Sequence, residues 1–461
     1  MIRGTTLLLA ARIVSAISTL ALLALVARRF DSATLGALSI GLTLGAIAIS
    51  AVELGSGGFL VREGARDPEA LPSRLGAVIA IRAASVTATL LLLSLIAVWA
   101  FPESAAIVFV ASASIALQQL AELARAVAIS QRRYATASVH SILENVVWLG
   151  AIGILVFAGW PLEGALLVGM VWLVASAAIG AVLVKRQHIG VERPDASVMR
   201  ALLVELRPFA ALDVLTTATA RVDVLIVGLL APGGIAAAGG YFAAARLVAA
   251  AEFLPEAIGR TLLPEMISRR ESATEHLERT VMMLVAIAIP FPALAIAGGD
   301  AVMGELFGSE YARLGWLLAL LCLALPFRFP SSALGVCLTS LGAQGRRAIV
   351  IASALGVTIA IDFALIPAIG IAGAGIASIV SSALVLLVYW LEVKRRISES
   401  RLARASSMPL MAGVVAAVAA VLFPAMVPTL GPVAGAIVFL FVYATLVALG
   451  AARRARHRGA G

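Results

Sequence analysis

The sequence predicts an all-α polytopic membrane protein of about fourteen transmembrane helices, arranged as two six-helix lobes related by a parallel repeat plus a C-terminal helix pair. Three observations carry this expectation. Apolar residues make up 61% of the chain and charged residues 13%, with a mean hydropathy of +1.04; a soluble domain is about a quarter charged. Apolar runs of about 20 residues, long enough to cross a hydrocarbon core of roughly 30 Å, recur from end to end. Backbone at that depth must satisfy its own hydrogen bonds, so the runs are helices. Finally, the charged residues cluster in alternate loops.

With Pro, Gly and charge clusters as boundaries, the spans fall near 5–27, 34–60, 76–100, 105–128, 138–158, 163–184, 202–230, 235–257, 279–297, 312–334, 347–367, 372–392, 409–427 and 431–451. The first contains Arg12 and is too long and interrupted for a cleaved signal peptide. One set of loops holds Arg3, Arg62, Arg66, Arg74, Arg132, Arg133, the stretch from Lys185 to Arg200, the stretch from Arg260 to Arg279, Arg346, Arg347, the stretch from Lys394 to Arg404, and the basic tail. The other set holds only Arg28, Arg29 and Arg313. The positive-inside rule then puts both termini in the cytoplasm, with the protein in the inner membrane. The net charge of +9 is thereby a topology signal, and no nucleic-acid partner is expected.

The outward turns are short, "GGDAVMGELFGSEYARLG" being the longest, so no extracytoplasmic domain can be built from them. A membrane glycan polymerase or ligase, which needs an outer platform, is disfavoured, and the protein reads as no enzyme. Cys322 and Cys337 lack CxxC spacing and nearby histidines, and read as packing residues. The four histidines are scattered, mostly in loops. No metal site and no cofactor are expected.

Two outward hairpins repeat. "ARRFDSATLGALSIG" aligns with "LLAPGGIAAAGGYFAA", Gly36 on Gly240, at an offset of 204; "GWPLEGA" aligns with "GIAGAG", Gly164 on Gly373, at 209. Agreement between two independent hairpins points to a six-plus-six duplication. Both copies start inside, so the repeat is parallel. The domains follow: a lobe over 1–184, a cytoplasmic linker over 185–200, a lobe over 201–396, and a terminal helix pair with basic tail over 397–461.

The local text "GSGGFLVREGAR", "RVDVLIVGLL" followed by "GGYFAAARLV", "LLPEMISRR", "LFGSEY" and "LIPAIGIAGAGIAS" resembles the Wzx-type polysaccharide or oligosaccharide flippases. These belong to the superfamily that also includes drug/cation antiporters and the peptidoglycan-precursor flippase. The loop "REGARDPEALPSR" lacks the glycine-aspartate-arginine-glycine pattern of the major facilitators, which share parallel six-span lobes. The resemblance implies a two-lobe transporter that flips a polyprenyl-pyrophosphate-linked oligosaccharide between leaflets for cell-surface polysaccharide synthesis, such as the O-antigen of lipopolysaccharide. A polysaccharide polymerase complex is the implied protein partner. Residues 409–451 read either as a lipid-tail groove or as a peripheral hairpin.

Seven arginines lie within spans: Arg12, Arg82, Arg125, Arg207, Arg221, Arg246 and Arg328. Each costs about 2.5–3.5 kcal/mol near a helix centre, so each should face a cleft or an acid. Arg221 and Arg246 lie about 13 and 17 Å below the outer ends of their spans. A continuous helix puts Arg207 on the face of Arg221. An arginine fork suits a pyrophosphate, and the resemblance implies that group, so Arg221, Arg246 and Arg207, with Arg12 and Arg82 from the first lobe, are the candidate pyrophosphate ligands. The alternative pairs Arg221 with Asp223 or Asp213. Glu252, Glu256 and Arg260 follow i, i+4 spacing and should pair with one another. Arg125 lies near enough to the loop to snorkel.

No GxxxxGK[ST] stretch occurs, so an ion gradient or product consumption must drive transport. Asp362 has no basic residue within fourteen positions, and Glu144 stands in a comparable place at an offset of 218. Both are candidates for ion coupling, against the alternative of helix caps. A cation-coupled drug antiporter of the same fold is the competing function; the 6% aromatic content and the mid-depth arginines disfavour it.

Overall fold

The computed structural model describes residues 2–66, 71–186, 190–192, 195–255, 258–259, 273–396, 443–445 and 447. Among these, every regular element is helical: α1 (Ile2–Arg29), α2 (Ser32–Glu53), α3 (Ser56–Arg66), α4 (Leu71–Ala100), α5 (Ala105–Ser130), α6 (Tyr134–Phe157), α7 (Leu162–Lys185), α8 (Ala196–Thr219), α9 (Val222–Leu230), α10 (Gly234–Ala251), α11 (Ala273–Ala288), α12 (Pro290–Phe307), α13 (Ser309–Ala312), α14 (Gly315–Cys322), α15 (Leu325–Ser340), α16 (Gln344–Ile369) and α17 (Ile371–Arg396). Eleven helical stretches of the described residues are long and apolar enough to cross a membrane. The all-α polytopic class is therefore borne out. The expected spans at 409–427 and 431–451 lie outside the described residues, apart from 443–445 and 447.

Helix ends follow local chemistry. Asp31 caps α2 by accepting from the Thr34 amide at 2.9 Å, and Asp195 caps α8 through Ser197. Leu54 takes the left-handed conformation that stops α2, and Gly370, at φ 64°, separates α16 from α17.

Three spans depart from the sequence expectation. The second ends at Glu53 rather than near 60, and the chain continues as the separate helix α3. The seventh is not continuous: α8 stops at Thr219 and α9 begins at Val222. At the break Arg221 leaves helical geometry, with φ −143° and ψ −13°. The ninth extends well beyond 297, through α11 and α12, with Pro290 at the start of α12. Most of the stretch expected as the longest outward loop is thus helix. Hydropathy falls at Gly298–Asp300, but that is a change of polarity, and the helical hydrogen bonds continue through it.

The chain divides into two compact units, Met1–Gly240 and Tyr241–Gly461. Packing within the first includes α8 and α9, both of which contact α2. The six-plus-six division with its boundary in the 185–200 linker remains a proposal about the repeat.

Small residues set the spacing of the first unit. Gly41 and Gly45, one turn apart on α2, lie against the backbone of α5; a β-carbon at either would fall within 3 Å of the Val108 or Ser112 carbonyl oxygen. Between helices in lipid, such close backbone approach replaces the hydrophobic drive available in water. A second approach joins the start of α2 to the start of α10: a β-carbon on Gly36 would lie 1.8 Å from the Ile235 carbonyl oxygen, and one on Gly239 would lie 2.8 Å from the Gly36 nitrogen. The positions aligned by the sequence repeat therefore meet, to within one residue, at a direct backbone contact.

Gly45→Leu is expected to destabilise the detergent-solubilised protein by about 1–3 kcal/mol through overpacking. Gly150→Leu, where a β-carbon meets nothing within 4 Å, should leave thermal unfolding unchanged. Melting curves monitored by size-exclusion fluorescence compare the two.

Candidate functional site

Each unit holds an arginine that is clamped by an acid from another part of the chain, with serines of a neighbouring helix bonded to the arginine or to its acid. In the first unit, Arg125 on α5 is buried and donates to Glu122 one turn earlier and, through Nη1, to Glu144 on α6 at 2.9 Å. Glu144 is fully buried. It also accepts from Gln118 Nε2 at 3.1 Å and from Ser176 Oγ on α7, while Trp172 Nε1 donates to its backbone carbonyl at 3.0 Å. Because the Ser176 hydroxyl donates to Glu144, His140 Nε2 must be the donor toward the Ser176 oxygens, at 3.0 and 3.1 Å.

Arg82 on α4 forms a second node of the same unit. Its side chain is 1% exposed. Nε donates to Ser56 Oγ at 2.9 Å and Nη1 to the Gln119 carbonyl at 2.6 Å, with Glu53 Oε1 3.8 Å from Nη2. Gln118 and Gln119 link the two nodes along α5.

In the second unit Arg328 on α15 donates to Glu252 at 2.6 Å, to Ser378 at 2.7 Å and to Ser382 at 3.0 Å, both serines lying on α17. Arg328 and Glu252 are each about one-third exposed. Arg328 follows Arg125 by 203 positions, and Ser378 follows Ser176 by 202. These separations match the offset between the outward hairpins. Arg328 reaches hydroxyls two spans later directly, whereas Arg125 reaches Ser176, also two spans later, only through Glu144 on the intervening α6; α5–α7 and α15–α17 are paired helices in their respective units.

The sequence-derived candidates fall into three groups. Arg82 and Arg125 are enclosed by protein partners. The expectation that Arg125 reaches the interface is corrected: Glu144, 19 residues further along the chain and on another helix, gives it a buried acceptor. Glu144 is correspondingly not the isolated carboxylate that the coupling argument required. Glu252 pairs with Arg328; Glu256 and Arg260, the partners expected for it along the chain, lie outside the described residues.

Arg221, Asp223, Arg207, Asp213 and Arg12 form the second group, all in the first unit. Arg221 is half-buried at the N-terminus of α9, and Asp223 Oδ1 accepts from the Val224 amide at 2.9 Å in its first turn. Arg207, Asp213 and Arg12 are exposed. The projection of Arg207 onto the face of Arg221 assumed 100° per residue along one helix, and the break at 220–221 removes that relation. The third group belongs to the second unit. Arg246 on α10 is half-buried, its guanidinium carbon 4.6 Å from the Phe242 ring centroid, and Asp362 on α16 is fully buried.

Sequence reasoning missed Ser56, Gln118, Gln119, Ser176, Ser378 and Ser382 as partners, and His140 as a buried group. The available signal was the i, i+4 pair His140 and Glu144 on one helix, facing a span that contains both Glu122 and Arg125.

No protein-family model and no curated protein matches the sequence. Solved structures do match. The chain is similar to the lipid II flippase MurJ in an inward closed conformation, at a TM-score of 0.75 and 13% identity, over 97% of this chain and 98% of that one. The fold is that of the MOP-superfamily transporters. An inward-facing multidrug-resistance MATE transporter of that superfamily matches at a TM-score of 0.66 and 16% identity over 83% and 94% of the two chains. The Vibrio cholerae MATE transporter VcmN matches at 0.51 and 17% over 87% and 95%. Identities at this level speak for fold.

Breaking a buried ion pair from one side leaves the other charge uncompensated and costs about 3–5 kcal/mol, whereas removing both partners is far less damaging. Arg125→Met should therefore lower stability by about that amount, and Arg125→Met with Glu144→Gln should recover most of it. Thermal unfolding of the two variants tests the coupling.

Proposed function

We propose that the protein is a flippase that moves a polyprenyl-pyrophosphate-linked oligosaccharide across the cytoplasmic membrane by alternating access, with both termini cytoplasmic. The observation that carries this reading is Arg221 at the break between α8 and α9. A discontinuous membrane helix presents unpaired backbone amides and the positive end of its dipole at the break. An arginine there adds a planar, permanently charged fork that matches a pyrophosphate. The full-length similarity to a lipid II flippase supports a lipid-linked substrate, and the five motifs resembling Wzx-type flippases support an oligosaccharide head group. Arg246 is the second pyrophosphate ligand in this reading. Arg207 and Arg12, both exposed, can meet the substrate before or after it occupies the deeper position, while Arg82 acts by fixing α3 and α5. A polysaccharide polymerase complex is the downstream partner.

A second reading, a cation-coupled antiporter for small molecules, is favoured by the similarity to MATE transporters and by the fully buried Asp362. Coupling and flipping are compatible, since a transporter without a nucleotide-binding motif must take energy from a gradient or from consumption of its product. In the flippase reading Asp362 is the coupling carboxylate.

Transport of labelled lipid-linked oligosaccharide in proteoliposomes separates the readings. Arg221→Lys should impair flipping partially and Arg221→Ala severely, at normal membrane levels, because a lysine keeps charge but loses the bidentate fork. Should Arg221→Ala instead misfold and be rescued by Asp223→Ala, the arginine is structural and the reading fails.

With an imposed proton or Na⁺ gradient, Asp362→Asn should keep substrate binding and lose the gradient's effect on flipping. An unchanged gradient response would remove Asp362 from the mechanism.

A further inference from the structure

Away from the ionic networks, the first unit carries a crevice of about 440 Å³ between α4, α5 and α7. Its walls are apolar, formed by Leu75, Ile79, Leu120, Leu123 and Val127 with the small side of α7 at Ala177 and Ala181. Among the described residues Lys185 is the single charged residue of the lining, and it stands at the exposed C-terminal turn of α7. Gly190 and Val191 close that end.

The closure is built into the chain. The Glu192 amide donates to the Pro72 carbonyl at 3.3 Å, and the Glu192 carbonyl oxygen lies 2.0 Å from where a β-carbon on Gly76 would stand. Glu192 can therefore lie against the start of α4 only because residue 76 has no side chain. The surrounding outer surface is apolar: Ile79, Ile179 and Val182 are all exposed. On a membrane-spanning helix such a surface faces lipid chains, so the crevice opens to hydrocarbon.

We propose that this crevice holds one acyl chain of an anionic phospholipid whose phosphate rests on Lys185. From Lys185 to Ala177 the wall runs about 12 Å along α7, against roughly 15 Å for one leaflet of the hydrocarbon core. A chain entering at head-group level is thus lined for most of its depth. A lysine at a helix end extends its ammonium to the interface, where it meets the phosphate above that chain. Among the described residues Lys185 is the one charged donor of the lining, and the apolar wall selects an amphiphile. The orientation proposed above puts this arginine-rich end in the cytoplasmic leaflet, which is the anionic one. The site rests on the membrane reading and on the proposed orientation, and is independent of what the protein transports.

Native mass spectrometry of the full chain in detergent, titrated with phosphatidylglycerol and with phosphatidylcholine of the same chains, tests the proposal. The unmodified protein should retain one phosphatidylglycerol in preference to phosphatidylcholine. Lys185→Gln should reduce that preference by about fivefold, the effect of one basic residue at an anionic surface. Ala181→Trp, which fills the crevice from its exposed wall, should abolish the retained lipid of either kind while the melting temperature stays unchanged. Wild-type lipid retention in both variants would overturn the proposal. So would displacement of the lipid by inorganic phosphate, or a dimer mass in place of the lipid adduct.

Discussion

A guanidinium in hydrocarbon has no water to bind, and in this protein that constraint decides which helices must be neighbours. Arg125 draws α6 to α5 through Glu144, and Glu144 in turn draws α7 through Ser176 and Trp172. Arg82 ties α3 and α5 to α4. Arg328 joins the end of α10 to α15 and α17. None of these helices would lose much by exchanging one apolar neighbour for another, because lipid tails satisfy leucine as well as protein does. The polar contacts supply the discrimination, and the glycine contacts between α2 and α5 supply the closeness that makes dispersion effective.

The two clamps differ in their access to the surroundings. Arg125 and Glu144 are enclosed, so their geometry is fixed by protein alone. Arg328 and Glu252 are about one-third exposed, so the corresponding clamp of the second unit retains contact with its surroundings. An arginine–glutamate pair can therefore serve as a fixed strut in one unit and as an accessible polar surface in the other.

Much of the fold was legible in the sequence because each span is a long apolar run punctuated by Pro, Gly or clustered arginine. Breaks within a span were not legible. "TTATARVDV" contains no proline or glycine at the point where α8 ends, and a hydropathy window averages across it. The reverse error occurred at Gly298–Asp300, where lower hydropathy read as a loop although the backbone stays helical. Among the site residues, the in-span arginines were individually visible as costly, but their partners were not. Ser176, Ser378 and Gln119 are unremarkable in sequence, and which acid an arginine chooses depends on helix rotation and packing. Asp362 was singled out because it lacks nearby basic residues, a property that is one-dimensional and therefore readable.

The Glu122–Arg125 pair has a consequence for how the protein is made. Helices enter the bilayer from the N-terminus onward, so α5 is delivered before α6 has been synthesised and therefore before Glu144 exists to receive Arg125. Glu122, on the same helix and one turn earlier, travels with the arginine and neutralises it during insertion. Arg82 has no such companion on α4, but Glu53 and Ser56 precede it in the chain and are already in place when it arrives. The order of acids and arginines along the sequence thus gives Arg82 and Arg125 an acceptor by the time each leaves the translocation machinery, and Glu144 joins Arg125 afterwards while Glu122 stays bound.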